Sequence, residues 1–272
     1  MIERDREGER RGRLAIVLAP GGDGQAAERL AQRTQAPLLP ADPGLDAAAV
    51  PAPFDIAVRF DAMGTCLVGD GMLLRPDLTA MAPRLKPGRL NRELLVRAAK
   101  IKRPADAPPE ARPPLAVDAT AGLGEDALLL AAAGFSVLLF ESDPVIAELL
   151  RDSLRRAVAA SEPGLRAAAG RMRIAGEDSI AALPGLAPAP DVVYLDPMFP
   201  ERRKSAAVKK KFQLIHRLER PCDDEDALVA AALAARPRKV VIKRQVKGPH
   251  LAGVKPSYAI AGKSVRYDVL AR

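Results

Sequence analysis

From residue 115 onward the chain alternates short apolar runs with longer stretches whose apolar residues recur every three or four positions. The runs are 115–119, 136–140, about 172–175, 192–195 and 240–242, rich in Val, Ile, Leu and Phe. Between them, about 126–133, the stretch opened by Pro144 (apolar at 145, 146, 149, 150 and 154) and 226–235 have helical spacing. Strands alternating with amphipathic helices predict a mostly parallel α/β sheet. Two final runs, 258–261 and 265–270, flank Gly262-Lys263 and predict an antiparallel C-terminal hairpin.

Upstream the pattern differs. Residues 14–18 predict a strand, Pro20-Gly21-Gly22 a turn and 26–32 a helix. Two further strand stretches follow, 55–61 and 64–74, the second broken by the hairpin signal Gly69-Asp70-Gly71. Asn91 reads as the N-cap of a helix over 92–100. Five prolines between Pro104 and Pro114 mark a linker. The expected organisation is a small α+β N-terminal domain over 1–104, a Pro-rich linker over 105–114 and an α/β domain over 115–272.

Charge adds direction to this picture. The 272 residues carry 42 basic and 34 acidic side chains, a net +8. Residues 201–272 hold 18 of the basic and 7 of the acidic ones, so the surplus lies wholly downstream of residue 200. Such asymmetry suggests an anionic partner. Cys66 and Cys222 stand apart, with only His216 and His250 for company, which offers neither a zinc motif nor a disulfide framework. The charged start Met1-Ile2-Glu3-Arg4 is unlike a signal peptide and no apolar run reaches membrane-spanning length. The expectation is a cytoplasmic protein with no metal and no membrane partner.

Candidate chemistry gathers where the strands end. The first strand of the α/β domain leads into Asp118-Ala119-Thr120-Ala121-Gly122-Leu123-Gly124-Glu125-Asp126. Glycines 122 and 124 let backbone approach a ligand as it turns into a helix N-terminus. Glu141, 23 residues after Asp118, ends the second strand, where a carboxylate can take both hydroxyls of an adenosine ribose. The third strand leads to Glu177-Asp178-Ser179, a helix cap beside the adenine edge. These features serve NAD as readily as S-adenosylmethionine, although Ala127 stands where the third glycine of the NAD fingerprint would be.

The fourth strand exits through Asp196-Pro197-Met198-Phe199-Pro200. A carboxylate, a stiff peptide with its carbonyl and an aromatic ring can grip a planar amine. Arg202, Arg203, Lys204, Lys209, Lys210 and Lys211 follow at once, six cations in ten residues suited to RNA phosphates or, more simply, to a solvated face. Lys86, Arg89 and Arg92 read as ordinary helix-entry chemistry or as part of an anion-binding face.

The Asp118–Asp126 loop, the Asp-Pro-Met-Phe-Pro exit and its continuation Lys204-Ser205-Ala206-Ala207-Val208-Lys209-Lys210 resemble the RsmJ family, as do Val241-Ile242-Lys243-Arg244 and Arg266-Tyr267-Asp268. Its members are bacterial small-subunit (16S) ribosomal RNA guanine-N2 methyltransferases that use S-adenosyl-L-methionine. The likeness covers about 110–270 and departs from the family at Glu125 and at 87–91. It implies a Rossmann-like class I methyltransferase domain, with ribosomal RNA or the small ribosomal subunit as partner. Cofactor contacts would fall to Glu125, Asp126, Glu141, Ser142, Asp178, Ser179 and Asp196, beside Asp118, Gly122 and Gly124. The acceptor amine would fall to Asp196, Pro197 and Phe199. Another amine acceptor, such as adenine N6 or a protein side chain, and a non-catalytic RNA-binding protein on the same scaffold remain as alternatives.

Overall fold

The computed structural model of the protein describes residues 13–102, 112–197, 214–215, 218 and 224–272. These divide into two units. The first holds 13–77 and 143–155 with Leu214, Ile215 and Leu218; the second holds 78–102, 112–142, 156–197 and 224–272.

The first unit is built on a five-stranded sheet of order β2-β1-β3-β4-β5. Its strands are β1 (Leu14–Leu18), β2 (Leu38–Pro40), β3 (Ile56–Asp61), β4 (Gly64–Gly69) and β5 (Met72–Leu74), with helix α1 (Gly24–Thr34) after β1. β1 runs parallel to β2 and β3, and β3, β4 and β5 are antiparallel. Asp70 and Gly71 both take positive φ, 52° and 67°, the left-handed pair that a two-residue hairpin needs. The short β2 carries no signal in the sequence, since Leu38-Leu39-Pro40 is too brief to show a period.

The second unit carries the seven-stranded sheet, of order β11-β12-β10-β9-β6-β7-β8. Its strands are β6 (Leu115–Asp118), β7 (Ser136–Phe140), β8 (Met172–Gly176), β9 (Val192–Leu195), β10 (Lys239–Gln245), β11 (Tyr258–Ala261) and β12 (Val265–Ala271). β8, β7, β6, β9 and β10 are parallel, and β12 pairs antiparallel with both β10 and β11. The parallel sheet and its terminal antiparallel hairpin are as the sequence predicts. Chain order runs outward from β6 to β8, then restarts on its other side at β9. The carboxyl ends of β6 and β9 therefore flank the switch point, where open α/β sheets bind ligands.

Helices follow from the same patterning. α3 (Glu125–Ala132) has its Ala127–Ala131 stretch buried, as its continuous Ala/Leu sequence requires. α4 (Pro144–Val158) starts on Pro144, with Asp143 accepting from the Val145 and Ile146 N–H groups. α5 (Pro163–Ala169) lies outside the helices that the pattern predicts; Glu162 caps it through Gly164 and Leu165. α6 (Ser179–Ala182) is capped by Asp178, as predicted, and α7 (Glu225–Ala234) by Asp224.

The segment before β6 differs from expectation in detail. Pro87–Leu90 forms a helical turn of its own, so Asn91 closes that turn rather than opening the next helix. α2 (Leu94–Ala99) starts from Glu93, which supplies no cap because both its carboxylate oxygens accept from Arg84, each at 2.8 Å. Leu94 lies against Gly262 in the β11–β12 turn, and Lys239 at the start of β10 donates to Ala98 O and Lys100 O, at 3.2 and 2.6 Å. Register sets Val265 level with Gln245 at the carboxyl end of β10. α2 thus runs antiparallel to β10, its first residue at the sheet's carboxyl edge.

Lys239 holds the last carbonyls of α2, where a cation is favoured both by hydrogen bonding and by the helix dipole. Lys239→Met is expected to cost about 1 kcal/mol, read as a lower urea midpoint with unchanged slope.

Candidate active site

The loop after β6 is fastened to both neighbouring strands. Ala119 N–H donates to Tyr194 O on β9 at 3.0 Å, and Ala121 N–H to Phe140 O on β7 at 2.9 Å. Gly124 N–H returns to Ala121 O at 2.8 Å. Gly122 and Gly124 have φ of 51° and 81°, and a Cβ built on Gly122 meets nothing within 4 Å. That backbone is left-handed and open, which suits close approach by a ligand. Glu141 crosses from the end of β7 to accept from Gly122 N–H at 2.8 Å. One carboxylate thereby fixes the glycine loop to the end of β7.

Asp118 is buried, 1% exposed, and accepts from Thr120 N–H at 3.2 Å. Burial pushes its carboxyl well above the ordinary range, and nearby Asp126, Asp196 and Glu141 push the same way, against the Thr120 hydrogen bond. The Thr120 side chain reaches the other way: its Oγ1 accepts from the Asp196 N–H at 2.7 Å. The first glycine loop and the β9 exit are therefore one hydrogen-bonded piece.

Lys243, near the end of β10, joins the remaining acids. Its Nζ donates to Asp126 Oδ2 and to Asp196 Oδ2, both at 2.8 Å, and Tyr194 OH donates to the same Asp126 oxygen at 2.6 Å. Burial works against the Lys243 charge, but the two carboxylates outweigh it and hold its pKa above the usual lysine value. Burial raises Asp196, and the Lys243 ammonium opposes that rise. Tyr194 is fully buried and its phenol is pushed up well above normal, first by burial and then by the adjacent acids, so it stays a proton donor. Its ring sits 6.5 Å from that of Tyr267.

Asp118, Asp126, Glu141 and Asp196 thus converge, while Asp178 and Ser179 stand beyond the end of β8. Asp178 is exposed and its side chain accepts from Ala181 N–H; Ser179 is buried. Glu125 and Ser142 are exposed, and Pro197 is buried. Phe199, Arg202, Arg203, Lys204, Lys209, Lys210 and Lys211 lie outside the described residues. Thr120, Tyr194 and Lys243 occur within the sequence motifs, yet sequence reasoning assigns them no role. Their positions follow from strand order, which no local spacing encodes.

These residues fit S-adenosylmethionine better than a dinucleotide. The glycine loop opens among carboxylates at the ends of β6 and β7, an environment that favours a sulfonium and disfavours a pyrophosphate. Among the described residues no group of three or more His, Cys, Asp or Glu is placed to hold a metal ion, and no helix is long and apolar enough to cross a membrane.

Comparison with known proteins bears on the same point. A family model described as "Putative SAM-dependent methyltransferase" matches residues 76–272. The ribosomal RNA small subunit methyltransferase J of Neisseria gonorrhoeae is 38% identical over 217 residues, covering 79% of this chain and 82% of that protein. Its namesake in Neisseria meningitidis serogroup C is 45% identical over 159 residues, 57% of this chain and 63% of that protein. A crystal structure of a SAM-dependent methyltransferase from Neisseria gonorrhoeae superposes with a TM-score of 0.66 at 30% identity, covering 94% of this chain and 96% of the other. The chain belongs to the ribosomal RNA small subunit methyltransferase J family, and its cofactor is S-adenosyl-L-methionine.

Proposed function

We propose that this protein methylates the exocyclic N2 amine of a guanine in small-subunit (16S) ribosomal RNA. The observation that carries the reading is the placement of Asp196: its N–H is held by Thr120 on the glycine loop and its Oδ2 by Lys243. An acceptor carboxylate is thereby fixed beside the cofactor cradle. The names of the relatives supply the RNA, and the resemblance of the Asp196–Pro200 exit to amine-gripping loops supports the amine.

S-adenosylmethionine supplies an electrophilic methyl on a sulfonium, with a neutral thioether as leaving group. The chain's own residues must make a poor nucleophile attack it. The guanine N2 lone pair is delocalised into the ring, and acceptors on the amine hydrogens localise it. Among the described residues nothing donates to Asp196 Oδ1, which would take one amine hydrogen, and the Pro197 carbonyl the other. Phe199 would stack on the base. On taking the methyl the amine would become cationic and would shed one proton to Asp196 or to water. Holding the amine in line with the methyl supplies the rest of the acceleration. A base paired in RNA must first be unstacked to reach the site.

Three results are expected. Mapping modified nucleotides in ribosomal RNA from cells with and without the protein should show one N2-methylguanine lost in its absence; a methyl on adenine N6 or on protein instead would overturn the reading.

Glu141→Ala removes both the anion and the acceptor for Gly122 N–H. A hydrogen bond to a charged group is worth about 1.5–3 kcal/mol, so calorimetric affinity for S-adenosylmethionine should fall roughly tenfold to a hundredfold. Glu141→Gln keeps the acceptor and should lose less.

Lys243→Met removes the cation that opposes the rise of Asp196. Burial and Asp126 then raise Asp196, with Arg244 acting in Lys243's direction. Because the carboxylate is the working form, turnover is lost as pH falls through its pKa. The acid limb of the pH–rate profile should therefore move to higher pH in Lys243→Met and part of the way back in Lys243→Arg. A uniform loss of rate at every pH would show that Lys243 is merely structural.

A further inference from the structure

The carboxyl edge of the seven-stranded sheet is electrically divided. At the ends of β6, β7 and β8 stand Asp118, Glu141, Glu177 and Asp178. Past β9 the sign reverses: Lys243 lies near the end of β10, Lys247 just beyond it, and Lys263 in the turn between β11 and β12. That turn sits at the same edge, because Val246 N–H donates to Ser264 O at 3.1 Å and Val265 pairs with Gln245.

The segment before α2 adds to this side. Leu94 touches Gly262, so residues leading into α2 reach the carboxyl edge beside Lys263. The Arg84–Glu93 pair ties residue 84 to the start of α2, and Arg84 feels the charges of Asp126 and Glu125 at the start of α3. Lys86, Arg89 and Arg92 are carried between these two anchors, and all three are exposed, as are Lys247 and Lys263. None of the five has an ion-pair partner among the described residues; of the nearby acids Glu125 is exposed, and others are already engaged. Glu93 is taken by Arg84, and Asp268 by Arg266 and His250. Asp224 and Glu225 start α7, which packs with α6 away from α2; Asp224 caps that helix, and Glu225 accepts from Ala252 N–H and faces Arg244.

We propose that Lys86, Arg89, Arg92, Lys247 and Lys263 form a phosphate-binding rim that holds the RNA strand flanking the target base on the β10–β12 side of the site. The inference rests on the RNA methyltransferase reading and locates its substrate track. Five exposed cations without ion-pair partners among the described residues match a polyanion. Such contacts position a strand without reading its sequence.

The test is binding of the full-length protein to a fluorescein-labelled transcript of small-subunit ribosomal RNA, by anisotropy over a range of salt concentrations. Each engaged cation contributes about 0.7 to the slope of log affinity against log salt on single strands, so K86A/R89A/R92A should flatten it by about 2. Adding K247A/K263A should flatten it further. Two charges removed from the opposite edge, K100A/R272A, should leave the slope unchanged, and S-adenosylmethionine affinity should be equal in all variants. Parallel slopes for wild type and the rim variants, while wild type still methylates the RNA, would overturn the rim and leave the methyltransferase reading standing. Equal flattening by K100A/R272A would overturn it too, by showing that total charge alone matters. A wild-type protein that neither binds nor methylates the RNA would end both.

Discussion

The ammonium of Lys243 is the contact on which the site depends. Two carboxylates brought to one place from α3 and from the exit of β9 would repel each other. One cation 2.8 Å from each makes their proximity favourable. Tyr194, donating to Asp126 from within β9, closes the arrangement from below. Remove the cation and the Asp196 carboxylate loses its side-chain partner and its main electrostatic support. The glycine loop, the β9 exit and β10 are thus coupled through side chains as well as through the sheet.

Much of this is legible in the sequence, for reasons that are local. Ser136–Phe140 is bounded by a glycine before and an Asp-Pro after, so its limits are visible. The Gly69-Asp70-Gly71 turn announces itself because few residues other than Gly, Asn and Asp accept the left-handed conformation. The carboxylates at the ends of β6 and β7 can be placed because strand–helix alternation fixes which end of each strand faces a ligand. Asp178 can be read as a cap because capping needs only a side chain and the next three residues.

What escapes a linear reading is set at long range. Lys243 meets Asp126 across 117 positions, and only the order of the strands brings them together. Asn91 looks like a cap by type, but Pro87–Leu90 claims it, and the carboxylate of Glu93 is drawn off by Arg84. α2 is six residues long, too short to announce a partner; its position beside β10 comes from Lys239 and Leu94. The downstream charge surplus is plain in the sequence. That the start of α2 lies beside Gly262, next to Lys263, shows only once the sheet is assembled.

The strap between β10 and β11 has a consequence of its own. The Arg266 guanidinium is enclosed by the carbonyls of Gln245, Val246, Gly248 and Pro249 and by Asp268, which its neighbours hold below the usual carboxylate range. The loop from Gln245 to Pro249 is thus wound around one side chain. A loop gathered in this way has surrendered its conformational entropy when the chain folds, and has little left to lose when a partner arrives. Lys247, carried on that strap, is presented on a scaffold that is already ordered. Such rigidity favours selectivity, because a stiff frame punishes a misplaced partner where a pliant one would accommodate it.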